Sequence, residues 1–131
     1  MLRKTTLAVI VAVFAGLLWA APRTLKPGFN LFTPRQDIQL GRELAAQVER
    51  QVPRLRDSQV EACVARIGRR LAAQPEAGGY PYTFRVTNDR SVNAFALPGG
   101  PVYVNRGLIT AVDNEAQLAG EIGRASCRVR V

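Results

Sequence analysis

Apolar side chains recur at two different spacings along the chain, and the first spacing predicts helices. Between residues 33 and 52 the large aliphatic side chains lie four residues apart, at Leu40, Leu44, Val48 and Val52. This spacing places them on one face of an α-helix. Thr33, Pro34 and Gln36 provide an N-cap, a proline in the first turn and a capping-box partner, and Pro53 ends the pattern. We therefore predict a first helix over 33–52.

A second helix is predicted to begin near Asp57 or Ser58. Its apolar positions again fit a period of 3.6 residues: Val60, Cys63, Val64, Ile67 and Leu71. The opposite face carries charged residues that we interpret as solvated: Glu61, Arg66, Arg69 and Arg70. The proline and glycines of residues 75–79 predict a loop after this helix.

Alternation at every second residue then replaces the helical spacing. Tyr82, Phe84 and Val86 alternate with polar residues, which predicts a half-buried strand. Two short apolar segments, 92–97 and 101–105, flank a Pro-Gly-Gly turn and predict a hairpin, whose prolines favour the edge of a sheet. A short helix over 106–112 and a new helix from Asp113 or Asn114 follow. This order of elements predicts an α+β fold.

The first 21 residues have the pattern of an export signal. Arg3 and Lys4 precede an apolar run from Leu7 to Trp19, and Ala20-Ala21 follow. The leader is cleaved or kept as a membrane anchor, so residues 5–21 can associate with a membrane, and a buried core helix is the remaining alternative. Residues 22–32 contain two prolines and no periodicity, which predicts a linker. Either fate of the leader places the remaining chain outside the cytoplasm, in a bacterial periplasm or anchored facing it.

Charge and composition exclude several classes of function. The formal net charge is +8, but the leader and the last eleven residues hold +2 each, which leaves +4 for residues 22–120. This modest excess has no basic run and no aromatic interleaving, so we expect no nucleic-acid partner. The chain has no histidine and only two cysteines, Cys63 and Cys127. We therefore expect neither a disulfide framework nor a zinc site or catalytic residue within these 131 residues.

One long stretch carries a family resemblance. The run S-V-N-A-F-A-L-P-G-G-P-V-Y-V-N-R-G-L-I from Ser91 to Ile109, followed by D-N-E-A-Q-L-A-G from Asp113 to Gly120, resembles the segment before the zinc helix of HtpX/BepA-like metallopeptidases. These are H-E-x-x-H peptidases related to the CAAX prenyl proteases. Residues 30–41 and 67–71 also resemble the opening helices of that family. The resemblance covers residues ~30 to 120.

The resemblance implies a zinc-dependent metalloendopeptidase that acts on protein or peptide substrates of the cell envelope. In such enzymes two histidines one turn apart bind zinc and the glutamate between them activates water. In the family the helix that opens like 113–120 adds about three apolar residues and then His-Glu. Here it continues differently. Residues 33–120 are therefore expected to be the N-terminal part of a metallopeptidase domain that ends before its zinc motif, with zinc as the cofactor of the full-length parent.

Two interpretations of residues 121–131 remain. One takes Gly120 to Arg124 as a decayed zinc motif in a catalytically dead homologue. The other notes that the codons GAG ATC GGA AGA GCG TCG TGT AGG, which resemble a sequencing-library adapter, encode Glu121 to Arg128. We favour the second and interpret the tail as an adapter-derived artefact. Cutting the helix short is then expected to uncover an apolar patch on the hairpin and to lower stability.

The hairpin is the functional element that the resemblance leaves within this chain. An edge strand beside a peptidase cleft can pair with an extended substrate backbone. We therefore predict Asn93, Ala94, Phe95 and Ala96 as substrate-binding residues. The competing interpretation of the hairpin makes its larger side chains ordinary core. The alternative function is a non-catalytic envelope homologue that binds peptides without a metal.

Overall fold

A computed structural model describes residues 32–128 of the chain, with the side chain of residue 128 outside the description. Four α-helices and three strands follow one another in this range: α1 (Pro34–Gln51), α2 (Ser58–Ala72), β1 (Thr83–Thr87), β2 (Ala94–Ala96), β3 (Pro101–Asn105), α3 (Arg106–Ala111) and α4 (Glu115–Arg128). A 3₁₀ turn, Pro75–Ala77, lies between α2 and β1. The α+β prediction is confirmed. The predicted leader and the linker up to residue 31 lie outside the described residues.

Both long helices begin where their capping residues predict. The Thr33 hydroxyl accepts from the backbone N–H of Gln36, and the Gln36 side chain accepts from the backbone N–H of Thr33. Asp57 caps α2, since its carboxylate accepts from the backbone N–H groups of Gln59 and Val60. These bonds satisfy backbone donors that the first turn of a helix leaves without partners.

The three strands form one sheet in the order β1-β3-β2. β2 and β3 are antiparallel, as the hairpin predicted, whereas β1 and β3 are parallel. The prediction that both arms of the hairpin lie at an edge is therefore wrong for β3, which is the central strand. Pro101 is tolerated there because it is the first residue of the strand, and its missing N–H interrupts no ladder.

The main core lies on one face of the sheet, under α2 and α4. Two cross-strand rows face it, Phe84-Val102-Ala96 and Val86-Val104-Ala94. Val64 and Ile67 of α2 and Leu118 and Ile122 of α4 close over these rows, and Ile122 is fully buried. The interpretation of Val102 and Val104 as core is confirmed, since both are fully buried.

Helix α1 contacts the opposite face of the sheet at the hairpin turn. A Cβ on Gly41 would lie 1.8 Å from the carbonyl oxygen of Pro98, and one on Gly99 would lie 2.4 Å from the Cα of Ile38. The backbones therefore touch, which only glycine allows at these two positions. Further along α1, Glu49 pairs with Arg85 and accepts a 3.2 Å hydrogen bond from the hydroxyl of Tyr103.

Helix α4 does not leave the expected apolar patch. It continues to Arg128, and the spacing of Leu118, Ile122 and Ala125 keeps one face against the sheet. Among residues 32–128 the exposed large hydrophobic side chains are those of Phe32 and Val92. The expectation of an uncovered hairpin face is wrong because Ile122 fills the position above it. No helix within residues 32–128 is long and apolar enough to cross a membrane.

Candidate functional site: an open strand edge beside a cleft

Strand β2 forms one edge of the sheet, and its outward backbone groups are free. The backbone N–H of Asn105 donates to the carbonyl of Asn93 at 3.0 Å, and the N–H of Leu97 donates to the carbonyl of Pro101 at 2.7 Å. Bonds to a neighbouring antiparallel strand come from alternate residues. The N–H and C=O groups of Ala94 and Ala96 therefore point away from β3, and within residues 32–128 they have no partner.

The structure places the four predicted substrate-binding residues on or next to this edge. Asn93 is exposed and directly precedes β2, whereas the side chains of Ala94 and Ala96 face the core and are half-buried. Phe95 faces the other side of the sheet and stacks on Tyr103, with ring centroids 5.2 Å apart. The outward groups at the edge are thus those of Asn93 and of the backbone of the two alanines, while the ring of Phe95 packs on Tyr103.

A cleft of about 330 Å³ lies between β2 and α4. Its lining residues come from three stretches of the chain: Val92, Asn93, Ala94, Leu108, Ala111, Val112, Gln117, Glu121, Arg124 and Ala125. Val92 stands at its rim with 66% of its surface exposed. Arg124 also lines the cleft and pairs with Glu121 one turn earlier at 3.0 Å. An extended chain laid along β2 would run beside this cleft.

Two hydrogen bonds shape the loop that leads into β2. The carboxylate of Asp89 accepts from the backbone N–H of Ser91 at 2.7 Å, and the carbonyl of Asp89 accepts from the backbone N–H of Gly107 at 3.0 Å. The bonds from Ser91 hold the pKa of Asp89 below its ordinary value, because they favour the charged carboxylate. The loop is thus fixed to the start of α3.

An ion pair ties the start of α4 to α2. Both terminal nitrogens of Arg66 donate to the Glu115 carboxylate, each at 2.8 Å. This two-fold contact lowers the pKa of Glu115 and raises that of Arg66. Glu115 also lies in the first turn of α4, where a negative charge is favourable. The predicted solvated arginines of α2 are exposed, and Arg66 has this additional structural contact.

Comparison with known proteins assigns this arrangement to a family. A model of "Peptidase family M48" matches residues 58–123, a range that contains α2, the whole sheet and the start of α4. The chain belongs to peptidase family M48. The predicted relationship to HtpX/BepA-like metallopeptidases is thereby confirmed, and with it membership of a family of proteases.

Individual relatives of the M48 chain agree with this assignment. The chain is 31% identical over 84 residues to the beta-barrel assembly-enhancing protease of Escherichia coli (strain K12), which covers 64% of the chain and 17% of that protein. It is 30% identical over 90 residues to a putative beta-barrel assembly-enhancing protease of Vibrio cholerae, covering 69% of the chain and 19% of that protein. The chain thus spans less than a fifth of the length of these relatives.

M48 peptidases are generally zinc-dependent, but the donors in this chain do not fit a zinc ion. The sequence contains no histidine. Within residues 32–128 no three side chains among Cys, Asp and Glu are grouped closely enough to hold a metal. In the cleft Glu121 is the single acidic side chain, and it is paired with Arg124. No chemical step can therefore be assigned to zinc bound by these residues.

Several residues of the M48 cleft were not predicted from the sequence. Val92 was assigned to a hairpin arm, although it precedes β2 and is exposed at the rim. Gln117 and Val112 enter the cleft because α3 and α4 meet beside β2. A helical pattern predicts which face of α4 is polar, but it does not predict which strand that face approaches. Those contacts depend on the position of β3 at the centre of the sheet.

Proposed function

We propose that residues 33–120 form the N-terminal part of the catalytic domain of a zinc-dependent metalloendopeptidase that acts on envelope proteins. The observation that carries this proposal is the open edge of β2 beside a cleft walled by α4. Family membership supports proteolysis, and the edge supplies a way to hold an extended substrate.

The position of α4 supports the zinc part of the proposal. After Gly120 the family motif adds about three apolar residues and then His-Glu, so its first histidine falls near position 124. In this chain the side chain at that position, Arg124, lines the cleft beside Ala94. Ile122, at one of the three apolar positions, is fully buried. A histidine at 124 would therefore open into the cleft next to the strand that holds the substrate.

The proposed role of residues 93–96 is to bind and orient a peptide. The N–H and C=O groups of Ala94 and Ala96 would pair with an extended backbone, with Asn93 as a further polar contact. Stacking of Phe95 on Tyr103 would keep the strand in place while the outer edge is occupied. The 131-residue chain itself lacks both histidines of the motif, so we expect it to bind peptides without cleaving them.

The envelope location rests on the leader. Its basic start and apolar run are typical of an exported protein, either cleaved or anchored by residues 5–21. The relatives' name, beta-barrel assembly-enhancing protease, is consistent with envelope substrates. We propose that residues 121–131 are encoded by adapter sequence and that the parent gene continues into the zinc motif.

A second function is a non-catalytic peptide-binding homologue. The observation that favours it is the pairing of Arg124 with Glu121 at the cleft, which puts an arginine where the family motif has its first histidine. In that case residues 121–131 are native, and the open edge of β2 serves binding alone. The two functions differ in whether histidines follow Gly120 in the gene.

Two measurements test the proposed function. In the first, the ¹⁵N-labelled chain is titrated with a short peptide of alternating valine and threonine capped by glutamates. We expect amide shifts centred on Ala94 and Ala96, and shifts confined to β1 would contradict the role of β2. In the second, casein is incubated with zinc and either this chain or the product of the recovered full-length gene. We expect zinc-dependent cleavage from the recovered product alone.

A further inference from the structure

A buried polar chain connects the ends of the two parallel strands to the loop before β2. Thr87 ends β1 and Asn105 ends β3, and the two are partners in the register of the sheet. Their exposed fractions are 1% and 3%. The Thr87 hydroxyl donates to Oδ1 of Asn105 at 2.7 Å, and Nδ2 of Asn105 donates to the Ser91 hydroxyl at 2.7 Å. The amide thus bridges the sheet and the loop.

The Asn105 amide lies between two hydroxyls, each of which can donate or accept a hydrogen bond. Its oxygen can only accept, and the nearby hydroxyl of Thr87 donates to it. Its nitrogen is then turned toward Ser91. Loss of either hydroxyl would leave a buried polar atom of the amide without a partner, which is unfavourable. Ser91 is therefore held in a fixed position at the end of the sheet.

Asn105 also holds the chain at Asn93, two positions after Ser91. The backbone N–H of Asn105 donates to the carbonyl of Asn93, and the N–H of Asn93 donates to the carbonyl of Ser91, both at 3.0 Å. Asn105 thus contacts the loop through its side chain and the start of β2 through its backbone. On the other side of the loop, a Cβ on Gly107 would lie 2.0 Å from the carbonyl oxygen of Arg90, so the loop cannot move toward α3.

We propose that Asn105 is a positioning residue. Through its contacts with Thr87 and Ser91 it fixes the position of the open edge of β2 relative to the rest of the sheet. This inference rests on the proposed role of β2 in holding a peptide. Pairing with a peptide requires the outward groups of Ala94 and Ala96 to be held in a fixed register. The polar chain from Thr87 to Ser91 supplies that constraint where β2 is only three residues long.

Amide hydrogen exchange tests the positioning role without any peptide. The amides of Tyr103 and Asn105 face β2, whereas those of Val102 and Val104 face β1. In Ser91→Ala and Thr87→Val we expect exchange at Asn105 to quicken about tenfold, with little change at Val102 and Val104. Thr87→Ser keeps the hydroxyl and should restore slow exchange at Asn105. Thr110→Ala, which removes a hydroxyl bonded within α3, is the matched control.

Equal quickening at all four amides would show a general loss of stability and would overturn the inference, as would no change at Asn105. Titration with the valine-threonine peptide then separates the two proposals. Failure of the unaltered chain to bind the peptide overturns the proposed function, while the exchange result stands by itself. If the unaltered chain binds, Ser91→Ala should weaken binding at least fivefold relative to Thr110→Ala. Equal affinities would overturn the positioning of the peptide edge.

Discussion

The two edges of the small sheet are treated in opposite ways. At the β1 edge, the backbone N–H of Leu55 donates to the carbonyl of Val86 at 3.0 Å, and the N–H of Asn88 donates to the carbonyl of Pro53 at 2.8 Å. The segment between α1 and α2 therefore covers that edge. At the β2 edge, the corresponding groups of Ala94 and Ala96 have no partner within residues 32–128.

The edge of β2 is therefore the place where another strand could pair with this sheet. Unpaired strand edges attract other chains, and natural proteins usually cover or blunt them. Here a loop covers one edge, while the other borders the cleft against α4. The asymmetry is expected if the β2 edge is kept free for a peptide.

The largest effect is expected from crowding the loop that leads to the open edge. In Gly107→Ala the new Cβ would meet the backbone carbonyl of Arg90 at 2.0 Å. Because the obstacle is backbone, we expect a loss of about 3 kcal/mol in the free energy of unfolding, measured by urea denaturation. Gly120→Ala is the control, since nothing lies within 4 Å of its Cβ position. It should gain about 1 kcal/mol as a helix-interior replacement, and equal losses in both variants would contradict the account.

Proline substitutions compare the two edges directly. Leu55→Pro removes the N–H that bonds to Val86 at the covered edge, and we expect a loss of about 2 kcal/mol. Ala96→Pro removes an N–H that points away from the sheet, so its cost should be smaller by about 1 kcal/mol or more. Urea denaturation of both variants measures the difference. A larger loss for Ala96→Pro would mean that its N–H has a partner within the fold.

The affinity of the β2 edge for a peptide should also change in Ala96→Pro. If the outward N–H of Ala96 pairs with a bound peptide, Ala96→Pro removes one hydrogen bond and blocks close approach. We expect about a tenfold loss of affinity for the valine-threonine peptide, or about 1.4 kcal/mol. Thr110→Ala should bind like the unaltered chain. Unchanged affinity in Ala96→Pro would place the peptide elsewhere.

The smallest effect concerns pH. The pKa of Asp89 is lowered by its bonds with Ser91, so the stabilising contact is present above the ordinary aspartate range, about 4, and is lost as the pH falls through the lowered value. Exchange at the Ser91 amide, followed by NMR with correction for its intrinsic pH dependence, should lose protection in this acid range. Asp89→Asn, which cannot ionise, should show no such step. If the unaltered chain and Asp89→Asn both showed the step, the step would belong to another titrating group.

Local signals in the sequence predicted the elements, and non-local pairing decided what could not be predicted. The capping residues Thr33 and Asp57 mark the two helix starts, and alternation through Phe84 and Val86 marks β1. The Pro-Gly-Gly turn predicted the hairpin of β2 and β3. Nothing local indicates that β1 pairs in parallel with β3. For that reason the edge position predicted from the prolines is wrong for β3 and correct for β2.

The candidate site shows the same limit. The position of residues 93–96 at an edge of the sheet could be predicted from the hairpin, and their role in binding a peptide stays a prediction. The face of the sheet that each of these side chains occupies could not be predicted, because it depends on the register with β3. The polar chain through Asn105 was also not predicted. A lone asparagine at a strand end gives no sign that Thr87 and Ser91 lie within 2.7 Å of its side chain.

Sequencing the source DNA through the codon for Gly120, from a primer well inside the gene, is the most direct test of the proposed metallopeptidase function. We expect the reading frame to continue through a few apolar residues into H-E-x-x-H, with the first histidine near position 124. A confirmed native sequence from Glu121 to Val131 followed by a stop codon would contradict the proposed proteolytic activity and leave a peptide-binding homologue.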